Sequence, residues 1–279
     1  MNVSLNQILN GKDTSNSITK EQNTKKEELS WLIQDVLPQK FLRMKEEIRN
    51  IHELLTKPES KTEVILKSGE KETECGSLNI SNCCIENLIL TADVPVHEGG
   101  NLFILEFKPN TKYELLQLSN FVKSIDNIIH SFSETTNFFD HTSAIEFLEE
   151  LKVKLNKSMS VLYAGELDDL HPLIEVDQNL FEKGIKDTQV VDIEISKDVL
   201  KIDVLELKTS LKSKISDFLG MFGNYSRSGN TIMYKNELYS VRSEIKAYAR
   251  IDQITLALDV LSSSLVSCNK ILCQLLSFV

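Results

Sequence analysis

The chain has 279 residues, of which 41% are hydrophobic and 26% are charged, a balance that argues against a disordered chain and against several membrane spans. Lys and Arg number 31 against 41 Asp and Glu, which leaves a net charge of −10. Because phosphate backbones are bound by concentrated positive charge, nucleic acid is not an expected partner. The ten Gly and five Pro are few for a chain rich in turns, and they indicate long regular elements.

The amino terminus is polar, and we predict a disordered tail over residues 1–24. A helix then runs from Lys25 to just before Pro58, because apolar residues recur every three or four positions along it. Pro38 lies inside this pattern. Proline lacks the amide hydrogen of an α-helical hydrogen bond, so a kink or a break is expected there.

Between Lys61 and Lys108 the apolar residues alternate with polar ones, and Gly and Asn residues separate the alternating runs. This pattern predicts three or four antiparallel strands joined by hairpins. Helical spacing returns at Thr111, which forms a T-x-x-E capping box with Glu114. A second box, Ser143 with Glu146, opens another helix, and the short connection between the two helices favours an antiparallel pair.

Alternation returns in the segments VVDIEIS and VLKIDVLEL, and Lys197-Asp198 between them reads as a hairpin corner. TIMYK and ELYSVRSEIKAY predict two more strands. The segment from Lys208 to Gly229 is predicted to hold a short helix followed by a loop rich in Gly and Ser.

The last helix has the most regular pattern in the chain. Its apolar residues are spaced three, four, three, four, as in a heptad repeat: Ile251, Ile254, Leu258, Leu261, Leu265, Cys268, Leu272, Leu275 and Val279. Asp259 and Lys270 interrupt the apolar sequence, so we predict a soluble helix and not a membrane anchor.

Packing like elements together predicts an α+β fold with two discontinuous domains. The first is an antiparallel, leucine-zipper-like helical bundle made by the N-terminal, central and C-terminal helices, in residues 25–58, 110–165 and 249–279. The second is an antiparallel β-sheet domain built from two inserted segments, residues 59–109 and 166–248.

None of the motifs GxxxxGK[ST], GxGxxG, GxSxG or HExxH occurs in the chain, so a phosphate loop, a nucleophile elbow and a zinc helix have no support. The cysteines lack the paired spacing of a zinc module or a disulfide framework, and we predict reduced, mostly buried thiols: Cys75, Cys83, Cys84, Cys268 and Cys273. A Cys83 nucleophile with His97 or His171 is the enzymatic alternative, and we do not favour it. We predict no catalytic residue, no cofactor and no metal site, and therefore not an enzyme.

Charged clusters are expected to be solvated surface. The acidic ones are Glu70, Glu72, Glu74, Glu166, Asp168 and Asp169. The first helix has a mildly basic flank made of Lys25, Lys26, Lys40, Arg43 and Lys45. Interleaved glutamates cancel this flank locally, so direct binding to an anionic membrane is not expected.

The order of the segments resembles the Rogdi family, which includes a fungal subunit of the RAVE complex. EELSWLIQDVL opens the first helix, ECGSLNISNCCIENLILTADVP leads into LFILEFK, and IEISKDVLKIDVLEL is followed by MYKNELYSVRSEIK and the leucine-rich last helix. The resemblance covers about Lys25 to Leu276. It rests on colinear blocks, Trp31 and the Leu78-Asn79-Ile80 strand, and not on a catalytic string.

The resemblance implies a helical bundle beside a sheet domain and a function by binding. It implies a non-enzymatic scaffold that promotes reassembly of the peripheral sector of the vacuolar-type H+-ATPase with its membrane sector. The implied partners are a large β-propeller (WD-repeat) subunit, a Skp-type adaptor and the peripheral sector itself. The implied location is cytoplasmic, at vacuole and endosome membranes only through these partners.

The alternative is a coiled-coil adaptor in endosomal membrane trafficking. In that reading the apolar repeat of the last helix is open to an external helix instead of being closed inside the protein.

Overall fold

The computed structural model describes residues 20–57, 61–93, 102–134, 138, 140–163, 176–208, 231–234 and 237–278. Over these residues the chain is a mixed α+β protein, as predicted. The strands come in two antiparallel blocks separated by helices, and not in the alternating βαβ units of a parallel sheet.

The helices are α1 (Leu37–Thr56), α2 (Leu116–Glu134), α3 (His141–Tyr163) and α4 (Asp252–Leu276). The strands of the first block are β1 (Thr62–Ser68), β2 (Thr73–Ser81), β3 (Cys84–Asp93), β4 (Leu102–Glu106) and β5 (Lys112–Glu114). Those of the second block are β6 (Gln189–Ser196), β7 (Val199–Lys208), β8 (Thr231–Tyr234) and β9 (Glu237–Arg250). A 3-10 turn, Gln178–Leu180, precedes β6.

Pro38 does not break the first helix. Residues 20–31 are α-helical, Leu32–Val36 form a π-helical turn, and α1 follows directly. Leu37 donates its backbone N–H to the carbonyl oxygen of Leu32, five residues back. Because Pro38 has no N–H to donate, the wider π turn accommodates it without ending the helix. The expected break is therefore replaced by a local change of hydrogen-bonding pattern.

The strands form one antiparallel sheet in the described part of the chain. Its neighbours follow the order β4-β3-β2-β1-β9-β7-β6, and β5 pairs with β3 while β8 pairs with β9. The two blocks meet where Lys67 of β1 pairs with Tyr248 of β9. The predicted hairpin corner at Lys197-Asp198 is confirmed, since Ser196 pairs with Val199 across it.

Both predicted capping boxes are wrong. The Thr111 hydroxyl donates to the Lys108 carbonyl at 2.7 Å, and the residues after it form β5, because they pair with β3. Helix α2 therefore starts only at Leu116. Helix α3 is capped one turn earlier than predicted: the Asp140 carboxylate accepts the N–H of Ser143 at 2.8 Å, which satisfies a free donor of the first turn.

The buried stripe of α4 differs from the predicted heptad. Leu258 and Leu265 are only half-buried, while Ala257, Ser264 and Ile271 lie on the side of the helix that is buried in the protein. The members of the buried stripe are Ile254, Ala257, Leu261, Ser264, Cys268, Ile271, Leu272 and Leu275. A straight helix has 3.6 residues per turn and drifts away from a strict seven-residue repeat, so its buried face shifts along its length.

The chain divides into two compact units, each discontinuous in sequence. The first comprises the described residues of Met1–Arg49, Asp126–Asn156 and Val260–Val279, and the second those of Asn50–Ile125 and Lys157–Asp259. These borders fall inside helices, whereas the predicted domain ranges end between elements. The predicted ranges stay a prediction.

The first unit holds an aromatic cluster. The Phe41 ring lies 6.1 Å from the Phe132 ring and 5.3 Å from the Phe147 ring, centroid to centroid, and Phe138 is 5.4 Å from Phe147. Lys154 donates to the buried Ser131 hydroxyl at 2.7 Å. These contacts join α1, α2 and α3 within this unit.

The second unit holds the sheet. The first turn of α2 is tied to the terminal strand β6 by Gln117, whose side-chain amide donates to the Ile195 carbonyl at 2.9 Å and accepts the Ile195 N–H at 2.7 Å. The Gln117 carboxamide thus forms hydrogen bonds with the N–H and carbonyl groups of Ile195, which a further strand beside β6 would otherwise use.

Several predictions concern residues outside the described part. They are the tail over residues 1–19 and the short helix and loop predicted between Lys208 and Gly229, of which only Lys208 is described, as the last residue of β7. Residues 20–24, assigned above to the tail, are helical.

Candidate binding surfaces

Cys83, the nucleophile of the enzymatic alternative, lies buried at the tip of the β2–β3 hairpin. Its φ of 61° and the φ of 49° at Asn82 are left-handed, as tight two-residue hairpins require. Burial, and then the neighbouring Cys84 and Glu114, raise the pKa of the Cys83 thiol to about 11. At neutral pH it is therefore protonated and a poor nucleophile. His97 and His171 lie outside the described residues.

Three other thiols follow the same trend. Burial raises the pKa of Cys75 and Cys84, and raises that of Cys268 to about 12. Cys273 is exposed, and all five cysteines are free. Among the residues that the structure describes, no group of three His, Cys, Asp or Glu side chains could hold a metal ion.

The charged clusters that the structure describes are exposed, except for the half-buried Lys40 and Lys45, and several of their charges are paired locally. Lys67 bonds Glu72 at 2.9 Å across the β1–β2 hairpin, and this hydrogen bond raises the pKa of the lysine. On the basic flank, Arg43 pairs with Glu47 at 2.9 Å and Lys25 with Glu21 at 3.6 Å. Exposed pairs of this kind contribute little to stability. Glu166, Asp168 and Asp169 lie outside the described residues.

Exposed apolar side chains that lie together on one surface indicate a binding site, whereas those that lie singly are normal in a folded protein. In the first unit they are Trp31, Leu42, Val153, Val266 and Leu276. In the second unit they are Ile65, Ile89, Leu102, Leu116, Tyr163 and Leu256.

Three of them share one face of the sheet. Ile65 of β1 pairs with Ser77 of β2, Ser77 pairs with Ile89 of β3, and Ile89 pairs with Glu106 of β4. Leu102 lies on the same face as Glu106, because they are four residues apart on one strand. Ile65, Ile89 and Leu102 are 49%, 42% and 60% exposed. We call this set, with Ile104, the apolar row.

The apolar row was not predicted, although the sequence carries a signal for it. Val64-Ile65-Leu66 and Leu88-Ile89-Leu90 are runs of three apolar residues. A half-buried strand would show a polar residue at the middle position. The outer residues of each run are buried and the middle one is exposed, so both faces of these strands are apolar.

Helix α4 is long and apolar enough to cross a membrane by length and composition alone, within the residues described. The core helix of a soluble protein passes the same test. Its buried stripe lies against the protein, and Val266 on the opposite face is 67% exposed.

Comparison with models of known protein families and with curated protein sequences found no match.

Proposed function

We propose that this chain is a non-enzymatic, protein-binding scaffold of a RAVE-type complex, which promotes reassembly of the peripheral sector of the vacuolar-type H+-ATPase with its membrane sector. The colinear order of helix and strand blocks, similar to that of the Rogdi family, motivates the choice of complex. The partners are the large WD-repeat subunit, the Skp-type adaptor and the peripheral sector. The protein is cytoplasmic and reaches vacuole and endosome membranes through them.

The observation that carries a binding role is the apolar row on the sheet. Leaving Ile65, Ile89 and Leu102 in water has a cost that a monomer without partners could avoid with polar side chains. The buried thiols support the same view, because protonated cysteines are unsuited to nucleophilic chemistry.

We further propose that the N-terminal, central and C-terminal helices form an antiparallel, leucine-zipper-like bundle. Three observations in the first unit support this arrangement. Phe41, Phe132 and Phe147 bring three helices into ring contact. Lys152 of α3 acts on the pKa of Cys268 in α4. The stripe of α4 that includes Leu261 is fully buried.

Gene deletion followed by rescue tests the proposed function. Cells without the gene should show a raised vacuolar pH and little peripheral sector co-purifying with the membrane sector after induced disassembly. The full-length chain should restore both, and so should a Cys83→Ser variant, because no thiol chemistry is involved. Unchanged acidification and reassembly in the deleted cells would reject the proposal.

Isolation of the tagged chain from cells tests the partners directly. We expect mass spectrometry to find the WD-repeat subunit, the Skp-type adaptor and subunits of the peripheral sector. Recovery of trafficking proteins without any of these would favour the adaptor.

The coiled-coil adaptor has one observation in its favour. Leu258 and Leu265, which belong to the predicted heptad, are half-exposed, and Leu256 and Val266 are exposed on the same helix. An external helix could bury Leu258, Leu265 and Val266, which lie within about 100° of one another around the helix axis. Val266→Asp separates the two functions, because the fold should tolerate it. A folded variant that loses its partners supports the adaptor, and one that keeps them supports the scaffold.

A further inference from the structure

Among the residues that the structure describes, β4 is one of the two ends of the sheet. The strand order ends at β4, whose only described strand partner is β3. The N–H of Phe107, just after β4, bonds the Leu88 carbonyl in β3. Backbone groups alternate in direction along an antiparallel strand, so Leu105 and Phe103 also point to β3, while Ile104 and Leu102 point away from it.

The chain itself begins to extend the sheet on this edge. Phe181 forms an antiparallel bridge with Phe107, and their rings lie 5.3 Å apart. Lys108 donates to the Leu180 carbonyl at 2.8 Å, and Glu182 donates to the Glu106 carbonyl at 2.9 Å. The added segment therefore runs antiparallel to β4.

This extension stops after Glu182. Lys183 to Lys186 have no strand conformation, and a Cβ added at Gly184 would meet nothing within 4 Å. Among the described residues, no hydrogen bond from outside the sheet reaches the backbone of Ile104 or Leu102. The remaining edge is about four residues long, enough for a short strand.

Side chains around this edge define the chemistry of an occupant. Leu102, Ile104 and Ile89 make its outer face apolar, so an added strand would gain from apolar residues at alternate positions. At the other end, Glu106 and Glu182 stand side by side and are both exposed. Two like charges across neighbouring strands repel, and a positive charge placed beside them would be stabilised.

We propose that β4 accepts an extended segment of a partner protein as an additional antiparallel strand. The segment is apolar at alternate residues and carries a positive charge at its amino end, beside Glu106 and Glu182. Its backbone bonds the outward groups of Ile104 and Leu102, and its apolar residues pack beside the side chains of these two residues, at the β4 end of the apolar row. This inference rests on the proposed role as a binding subunit, but not on the identity of the complex.

A second copy of this chain fits the surface less well. The exposed parts of Ile65, Ile89 and Leu102 amount to roughly 300 Å², against about 800 Å² per partner in a standard interface. Strand addition needs less area, because main-chain hydrogen bonds supply part of the affinity.

Binding of a synthetic peptide tests the proposal with the purified full-length chain. The probe is Thr-Val-Thr-Val-Thr-Val-amide with a free amino terminus, which supplies the positive charge near Glu106, and its affinity is measured by isothermal titration calorimetry. In the inferred register its second and fourth residues direct their N–H groups to β4. Methylation of these two nitrogens should abolish binding, whereas methylation of the third and fifth should leave it within about twofold. No saturable binding up to millimolar peptide, or equal binding of both methylated peptides, overturns the proposal.

Two variants of Ile104 test whether the peptide binds at the outer edge of β4. Ile104→Pro removes an N–H that points away from β3, so the sheet should remain intact, and we expect the peptide to bind at least about fivefold more weakly. Ile104→Val keeps the N–H and is the matched control. Equal affinities for the two variants would reject the site.

Charge reversal gives a second, independent readout. Glu106→Lys should weaken the peptide with a free amino terminus about threefold or more, and should leave its acetylated form within about twofold. If neither affinity changes, the proposed polarity of the added strand is wrong. Sedimentation of the full chain as a dimer that Ile104→Pro dissociates would assign the edge to a second copy and also overturn the proposal. Peptide binding that follows these expectations would stand even if gene deletion left the proton pump unaffected.

Discussion

Gly76 lies in β2 where the sheet leaves no room for a side chain. A Cβ at this position would lie 2.0 Å from the Ile89 carbonyl oxygen and 2.9 Å from the Leu90 Cα. Both obstacles are backbone atoms of β3, so they cannot move without disturbing the strand pairing. The register shift between β2 and β3 lies directly after this residue, between Ser77 and Asn79.

Gly76→Ala should therefore lower the free energy of unfolding by more than about 2 kcal/mol, as measured by urea denaturation. Gly184→Ala is the matched control, because its added Cβ would meet nothing within 4 Å, and it should change stability by less than about 0.5 kcal/mol. Similar losses for both variants would show that the contact with Ile89 is not the cause.

The buried thiols make stability fall at alkaline pH. Burial raises the pKa of Cys83 from 9.0 to about 11, so between these values the unfolded chain releases this proton while the folded chain keeps it. Stability then decreases as the pH rises from 9 to 11. We expect the urea midpoint of the wild type to fall more across this range than that of Cys83→Ala. Parallel curves would contradict the raised pKa.

Asp140 makes the stability of the protein depend on pH in the acidic range. Its hydrogen bonds from Ser143 at the start of α3 lower the pKa of the carboxyl below its usual 3.8. A lowered pKa contributes stability that is complete above the unfolded value and is lost as the pH falls through the folded value. Asp140→Ala should therefore lower the melting temperature at pH 7 but change it less at pH 2.5. Asp140→Asn, which still caps the helix, is the control.

The two sides of helix α4 differ strongly in burial, although both are rich in apolar residues. Leu261 is fully buried and Val266 is largely exposed, although they are five residues apart on one helix. Ser264 also faces inwards, and its hydroxyl has no hydrogen-bond partner within the described residues. The helix is thus amphipathic in its packing even though its composition is apolar.

Leu261→Ala should cost about 2–5 kcal/mol of unfolding free energy, because it leaves a cavity in a packed interior. Val266→Ala should cost less than about 0.5 kcal/mol. Chemical denaturation of the two variants measures the difference. A large loss at Val266 would indicate that the exposed side of α4 is covered in the protein in solution.

For the chain as a whole, the net charge of −10 governs its behaviour at membranes. Anionic lipid attracts clusters of basic residues, and the basic flank of the first helix is offset by pairs such as Arg43 with Glu47. The purified chain should stay in the supernatant when vesicles with 30% phosphatidylserine are sedimented at physiological salt. Replacing Lys40, Arg43 and Lys45 with Glu should make no difference. Strong pelleting of the wild type would mean that it reaches membranes without partners.

Much of the fold could be read from the sequence because periodicity is a local property. The helices around Phe41, Leu148 and Leu261 and both blocks of strands were predicted, since 3.6-residue and two-residue repeats are visible without any knowledge of distant contacts. The absence of sequence motifs for catalysis was equally visible. What followed from the resemblance alone, the RAVE-type complex and its partners, stays a prediction.

Tertiary structure decided everything that depends on distant residues. Residues 112–114 became β5 because β3 offers them a partner, and this moved the start of α2. Ala257 and Ser264 of α4 are buried and Leu258 and Leu265 are only half-buried, because the elements packed around the helix determine which of its sides is covered. The raised pKa of Cys83 and the open edge of β4 likewise arise from burial and strand order. A sequence repeat determines that a segment folds as a helix or strand, but only the surrounding elements determine which side of it meets water.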